Sequence, residues 1–259
     1  VTDLSADKPV LVSAAGSTMV ITINRPSQRN AVDADVSRRM ADAFALLDES
    51  PDYRVAVLHG AGTNFSAGMD IKAFARGERA YVSGRGFAGL VEAPPAKPLI
   101  AAVEGWALGG GFEIVLACDL VVAGHSARFG LPEAKRGLVA RGGGALRLAT
   151  RIPKALALEM LMTGEPIDAA RAADLGLINR VVADGEALAG AHELASAIGK
   201  CAPLAVTAAK RVVVESPQWP VADAFTRQSE ILDPVFASED AQEGARAFRD
   251  KREPVWQGR

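Results

Sequence analysis

The chain of 259 residues carries 29 Lys and Arg against 31 Asp and Glu, a formal charge of −2, two cysteines and 49% hydrophobic residues. A chain of this length forms a full core without disulfide or metal staples, and its near-neutral charge argues against a duplex-binding protein, whose phosphate partner is met by an excess of Lys and Arg. A single bridge between Cys118 and Cys201 would add little to such a core, so both read as free thiols in a reducing, cytoplasmic setting.

Residues 1–8 lack a basic segment followed by an apolar run, so they do not read as a cleavable signal. Residues 18–24, rich in β-branched side chains and closed by Arg25-Pro26, read as a strand entering a turn. Residues 34–48 place Val36, Met40, Phe44 and Leu47 at helical spacing, and residues 55–58 form the next apolar strand before Gly60 and Gly62. Strand, helix, strand is the makings of a crossover unit. Residues 99–103 and 120–123 read as further strands, with a helix from about Phe112 after Gly109-Gly110-Gly111. From Ala145 onward the pattern turns helical: residues 152–162, 169–174, 185–198, 203–214, 221–232 and 240–251, the last closed by Pro254. The fold class is therefore α/β with a mainly helical last third. The most apolar stretches, 98–103 and 114–123, fall short of the ~20 residues that span a bilayer, so no membrane role is expected.

Gly84, Gly86 and Gly89 match the letters of a dinucleotide fingerprint, but no buried strand precedes them and Pro94-Pro95 stops the helix that should follow. They read as a flexible loop. Phosphate-loop, zinc-helix and nucleophile-elbow motifs are missing, and His59, His125 and His192 are scattered, so no metal site is expected.

Two glycine-bearing segments, 65–70 and 109–113, each follow a strand; such segments bring bare backbone amides close to a ligand or simply make tight turns. Glu113 stands among apolar residues in Gly-Phe-Glu-Ile-Val-Leu-Ala, and Glu133 in Phe-Gly-Leu-Pro-Glu-Ala. A carboxylate in apolar surroundings is costly unless paired, capped or protonated, so both are candidates for a raised pKa and for acid–base work on one water.

These residues together resemble the enoyl-CoA hydratase/isomerase superfamily, the crotonases. The resemblance runs from Asn24-Arg25-Pro26 and Asn30-Ala31-Val32 through residues 65–72, 97–105, 107–113, Cys118-Asp119, 129–133 and Gly164 to Glu239-Asp240, Glu243-Gly244, Ala247-Phe248 and Lys251-Arg252. It implies a crotonase-like spiral of ββα turns over residues 1–200 and a C-terminal helical region, 201–259, that makes homotrimers or homohexamers. It implies an oxyanion hole from the amides of Ala67 and Gly110, and hydration of a 2-enoyl thioester by Glu113 and Glu133, 20 residues apart as in such members, with isomerisation or another enolate-forming reaction, or acyl-CoA binding without catalysis, as the alternatives. Ala31 and Val32 would lie along the pantetheine, Ala67, Asp70 and Ile71 near the adenine, and Lys72 and Lys251 would reach the CoA phosphates. The acyl-CoA thioester is then substrate, with no separate cofactor and no nucleic acid or membrane partner. The loop 75–95 would cover the acyl pocket. One departure stands out: Ala140 and Arg141 occupy the place where the family commonly has Pro-Gly, and Arg141 is expected to pair with Glu133 or narrow the pocket.

Overall fold

The structure, a computed structural model, describes residues 8–259. Residues 1–7, on which the signal-peptide expectation largely falls, lie outside the described residues.

The chain opens with a hairpin of β1 (Val10–Ala15) and β2 (Thr18–Ile23), and α1 (Ala34–Glu49) crosses over to β3 (Val55–Gly60). A long connection carries α2 (Ile71–Ala75) and a short hairpin of β4 (Tyr81–Val82) and β5 (Gly86–Phe87). Next come β6 (Leu99–Val103), β7 (Trp106–Leu108), α3 (Gly110–Ala117), β8 (Leu120–Gly124) and β9 (Arg128–Gly130). Helices α4 (Gly144–Arg151) and α5 (Lys154–Thr163), strand β10 (Ile167–Asp168), α6 (Ala169–Asp174) and β11 (Arg180–Val182) follow. Helices α7 (Ala187–Gly199), α8 (Pro203–Glu215), α9 (Ala224–Phe236) and α10 (Glu239–Asp250) complete the chain.

The large sheet runs β1-β2-β3-β6-β8-β11, parallel from β2 onward, and the small sheet runs β10-β9-β7. From β6 onward each turn of the chain contributes one strand to each sheet: β6 then β7, β8 then β9, β10 then β11. This is the spiral of the expected fold. The large sheet is covered on both faces, which is why β3, β6 and β8 read as unbroken apolar runs rather than alternating ones. Val55, Val57, Ile100, Ala102 and Val122 meet Ala187, Ala191 and Ala195 of α7, while Ala56, Leu58, Leu99, Ala101, Val103 and Val121 face the main core with Phe44, Phe65, Phe112 and Phe129. Helix α3 is buried on every side. It is the central post of the spiral, and it carries Glu113.

The helices expected from periodicity are present within a few residues, with α4 as an additional one ahead of α5. Helix α10 ends at its own C-cap, Lys251 in the left-handed region, rather than at Pro254. The spurious fingerprint lies on the β4–β5 hairpin and the turn after it, where Gly84, Gly86 and Gly89 all adopt positive φ.

Candidate active site

Two backbone loops and two glutamates converge at the N-terminus of α3. Gly68 has φ +84, and a Cβ there would lie 2.6 Å from the Gly110 amide nitrogen and 2.7 Å from the Leu108 carbonyl. A Cβ on Gly110 would strike the Phe87 ring at 2.6 Å and sit 3.3 Å from the Met69 amide nitrogen. These glycines therefore do more than turn the chain: they let two segments approach until the Met69 and Gly110 amides stand side by side.

The expected donor at Ala67 is corrected here. Its amide is already used, donating to the Arg29 carbonyl at 2.9 Å. Residues 68–70 instead pair with Val32 through an isolated parallel bridge: Val32 N–H donates to Gly68 O at 2.8 Å, and Asp70 N–H to Val32 O at 2.9 Å. Along extended backbone successive amides alternate in direction, so the Met69 N–H points away from Val32. Among the described residues it has no acceptor. Gly110, first residue of α3, likewise has no intrahelical acceptor and adds the positive end of the helix dipole. Two fixed, unpaired amides of this kind stabilise an oxygen on which negative charge develops. The sequence motif could not reveal which amide faces inward, because that is decided by the bridge to Val32.

Glu113, 4% exposed, sits in the first turn of α3, and its Oε1 accepts the Gly144 amide at 2.9 Å. Burial pushes its pKa up, and the charge of Glu133 adds to this; the amides of Gly144 and Gly142 and the charge of Arg147 pull the other way. Glu133 lies in a 3-10 turn spanning Pro132–Arg136. Its Oε1 faces Gly109, 3.2 Å from where a Cβ would be, and its Oε2 is buried without a hydrogen-bond partner among the described residues. Burial raises its pKa as well, opposed by its own amide and by Arg136. The two carboxyls are thus close enough to interact yet differently supplied. Glu113 has donors that favour the ionised form, whereas Glu133 offers an orphan oxygen that favours the protonated one.

Arg141 does not pair with Glu133. Its side chain is exposed and makes no ion pair among the described residues, because the Gly142–Gly144 run turns the backbone, rather than that side chain, toward the glutamates. The inward arginine is Arg147, three residues into α4. Its Nη2 donates to the Val91 carbonyl at 2.6 Å, which ties α4 to the loop that presents Phe87. Neither Arg147 nor Phe87 stood out in the sequence; an arginine on an amphipathic helix and a phenylalanine in a loop carry no positional signal.

The remaining expected binding residues are spread around this centre. Ala31 and Val32 are buried beside Met69. Asp70 caps α2 through the amides of Lys72 and Ala73 and pairs with Arg25 at 3.0 Å, so its carboxylate is engaged within the chain. Ile71 and Lys72 are exposed on α2, and Lys251 is exposed at the end of α10; neither lysine makes an ion pair among the described residues. No group of three or more His, Cys, Asp or Glu among the described residues has metal-binding geometry.

Comparison with known proteins places the chain in a family. Residues 13–259 match the family model described as enoyl-CoA hydratase/isomerase. The chain is 45% identical over 256 residues to enoyl-CoA hydratase EchA19 of Mycobacterium tuberculosis, covering 96% of each chain. It is 45% identical to a carnitinyl-CoA dehydratase of Escherichia coli, over 94% of this chain and 96% of that one. Among solved structures, the enoyl-CoA hydratase EchA1 of Mycobacterium marinum superposes with a TM-score of 0.96 at 52% identity, covering 97% of this chain and 100% of that one.

Proposed function

Because the chain belongs to the enoyl-CoA hydratase/isomerase family and is a crotonase-type hydratase, we propose that it adds water reversibly across the double bond of a trans-2-enoyl-CoA with the groups just described. The Met69 and Gly110 amides receive the thioester carbonyl oxygen and hold the negative charge that moves onto it as the enolate forms. Glu113, whose ionised form the Gly144 and Gly142 amides support against the effect of burial, orients a water and takes its proton as the oxygen bonds to Cβ. Glu133, protonated, then delivers its proton to Cα. The products are a 3-hydroxyacyl thioester and a carboxyl pair again sharing one proton. The reverse sequence dehydrates a 3-hydroxyacyl thioester, the direction named for the Escherichia coli relative.

The observation that carries this reading is the buried Oε2 of Glu133, unpartnered among the described residues, on a carboxyl whose other oxygen faces Gly109 and whose charge is felt by Glu113. A buried carboxyl oxygen without a donor is held at a cost in stability, which a proton-transferring role explains. Phe87, with Leu90 and Val91 behind it, supports the assignment of the 75–95 loop to the acyl chain. Lys72 and Lys251 are assigned to the CoA phosphates and residues 201–259 to assembly into trimers or hexamers. Among the described residues no helix is long and apolar enough to cross a membrane, and the cytoplasmic setting rests on Cys118 and Cys201 being free thiols.

The deciding experiment follows loss of the enoyl-thioester ultraviolet absorbance with trans-2-enoyl-CoAs of short, medium and long chain, beside Glu133→Gln. Rapid loss abolished by the substitution supports the reading. Undiminished turnover in both Glu133→Gln and Glu113→Gln sinks it.

A further inference from the structure

Arg25, in the turn after β2, is half-buried and touches no expected substrate atom, yet it is the most connected cation near the site. Its Nη1 donates to the Ala31 carbonyl at 2.6 Å and lies 3.1 Å from Asp33 Oδ2, while its Nη2 donates to Asp70 Oδ2 at 3.0 Å. Both carboxylates are helix caps: Asp33 receives the Val36 amide at the start of α1, and Asp70 receives those of Lys72 and Ala73 at the start of α2. A planar guanidinium serves two carboxylates and a carbonyl at once; an ammonium point charge does not.

The Arg25 backbone is engaged too. Its N–H donates to Asn30 Oδ1 at 3.0 Å, and its carbonyl accepts the Asn30 amide at 2.9 Å. This closes a turn in which Arg29 and Asn30 have φ 52° and 54°, a region that non-glycine residues enter only when the surroundings enforce it. Buried Asn30 in turn donates to the carbonyls of Ala61 and Asn64, at 2.9 and 2.7 Å. The Arg29 carbonyl takes the Ala67 amide, and the Asn30 carbonyl takes the Ser66 hydroxyl at 2.8 Å. The two strands of the Val32–Met69 bridge are therefore gripped at Ala31 on one side and at Asp70 on the other by a single side chain.

We propose that Arg25 is the positioning residue for the oxyanion donor at Met69, its guanidinium fixing Ala31 and Asp70 so that the bridge between them turns the Met69 amide toward Gly110. This deepens the proposed function, on which it rests only through the carbonyl that these amides receive. It assigns to the turn at Arg25 a share in rate rather than in substrate affinity, because an amide displaced by a fraction of an ångström still borders the ligand but no longer meets the developing charge.

The test separates these effects with acetoacetyl-CoA, a 3-ketoacyl thioester whose enolate absorbs in the near ultraviolet. Titrated into wild type, Arg25→Lys and Arg25→Gln, it reports binding by its saturation point and oxyanion stabilisation by the amplitude of the enolate band. Expected in both variants are dissociation constants within about threefold of wild type, an enolisation equilibrium reduced at least about tenfold, and kcat for hydration reduced about 10- to 100-fold with KM nearly unchanged, since one misplaced donor is worth up to ~10²–10³. An undiminished enolate band and kcat in Arg25→Gln overturn the proposal. So does a band lost only in parallel with binding. Should Arg25→Gln not fold, Asp70→Asn decides: asparagine keeps the helix cap but not the ion pair, and an unchanged band there overturns the proposal. If wild type enolises acetoacetyl-CoA without hydrating any enoyl-CoA, the hydratase reading fails and the role of Arg25 stands.

Discussion

At the scale of single residues the two glutamates lead to unequal expectations for stability. Burial raises both pKa values, so each ionised carboxylate weakens the fold above its folded pKa and has no such effect below the ordinary carboxylate range. Glu133 has an orphan oxygen to add to this; Glu113 has the Gly144 amide to offset it. Glu133→Gln is therefore expected to raise stability near pH 8 by about 1 kcal/mol, or about 2–4 °C in Tm, with the gain vanishing below about pH 4. Glu113→Gln should gain less, because it loses a charge-assisted bond. Each substitution should lower kcat by about 10²–10⁴-fold; calorimetry and enoyl-thioester absorbance check the pair of effects. The rate itself requires one proton on the coupled pair, so kcat/KM against pH should be bell-shaped, its basic limb lying above the ordinary carboxylate range. Arg141→Gly should leave that limb where it is, since the Arg141 side chain is exposed and unpaired. A shift on removing Arg141 would show that it reaches the site in solution.

Among the elements, what could be read from the sequence follows from how each is buried. Strands β3, β6 and β8 are enclosed on both faces and spell themselves out as apolar runs, and α1 shows its stripe of Val36, Met40, Phe44 and Leu47 because only one face is covered. Helix α3 betrayed its importance through Glu113, a charge with no solvent face. The strands of the small sheet did not appear at all: Trp106–Leu108, Arg128–Gly130 and Ile167–Asp168 are too short for a period to register. Yet this sheet sets the site, since the Gly109 amide donates to Gly130 at 2.9 Å and so brings the α3 N-terminus to the turn that carries Glu133. The choice between Ala67 and Met69 was hidden for the same reason, resting on a bridge of single residues. The contact between β5 and α3 gives an element-scale test. In Gly110→Ala the new methyl strikes the Phe87 ring and crowds the Met69 amide, which is expected to cost about 1–3 kcal/mol of stability and about 10²-fold in kcat. Phe87→Ala removes the ring but not the crowding of Met69, so Gly110→Ala should lower Tm less in a Phe87→Ala background than in wild type, while its loss of rate persists. Joint recovery of both would mean that Gly110 serves packing alone.

For the whole molecule the decisive feature is how the C-terminal helices are held and what they leave uncovered. Lys210 of α8 reaches into the spiral, donating to the carbonyls of Pro95 and Lys97 and pairing with Asp119 at 2.6 Å, and Asp119 also takes the Leu99 amide at the start of β6. Arg54 binds the carbonyls of Gly199 and Trp256, while the Asp240 carboxylate takes the amides of Gln257 and Gly258, so the last residues are strapped back onto the chain. With their polar anchors turned inward, these helices present Phe225, Phe236 and Phe248 outward at 79–88% exposure. Clustered exposure of large apolar side chains is what association surfaces show, and self-association is the use that the proposed assembly assigns to these three. The expected native mass by light scattering is three or six times the 27.0 kDa of one chain. Phe225→Asp with Phe236→Asp should move it toward a single chain while the circular-dichroism spectrum is retained, because neither side chain contributes to the core that Lys210 and Arg54 tie down. A wild-type mass of one chain would remove the assembly from the proposal and leave the site chemistry, which lies wholly within one spiral, untouched.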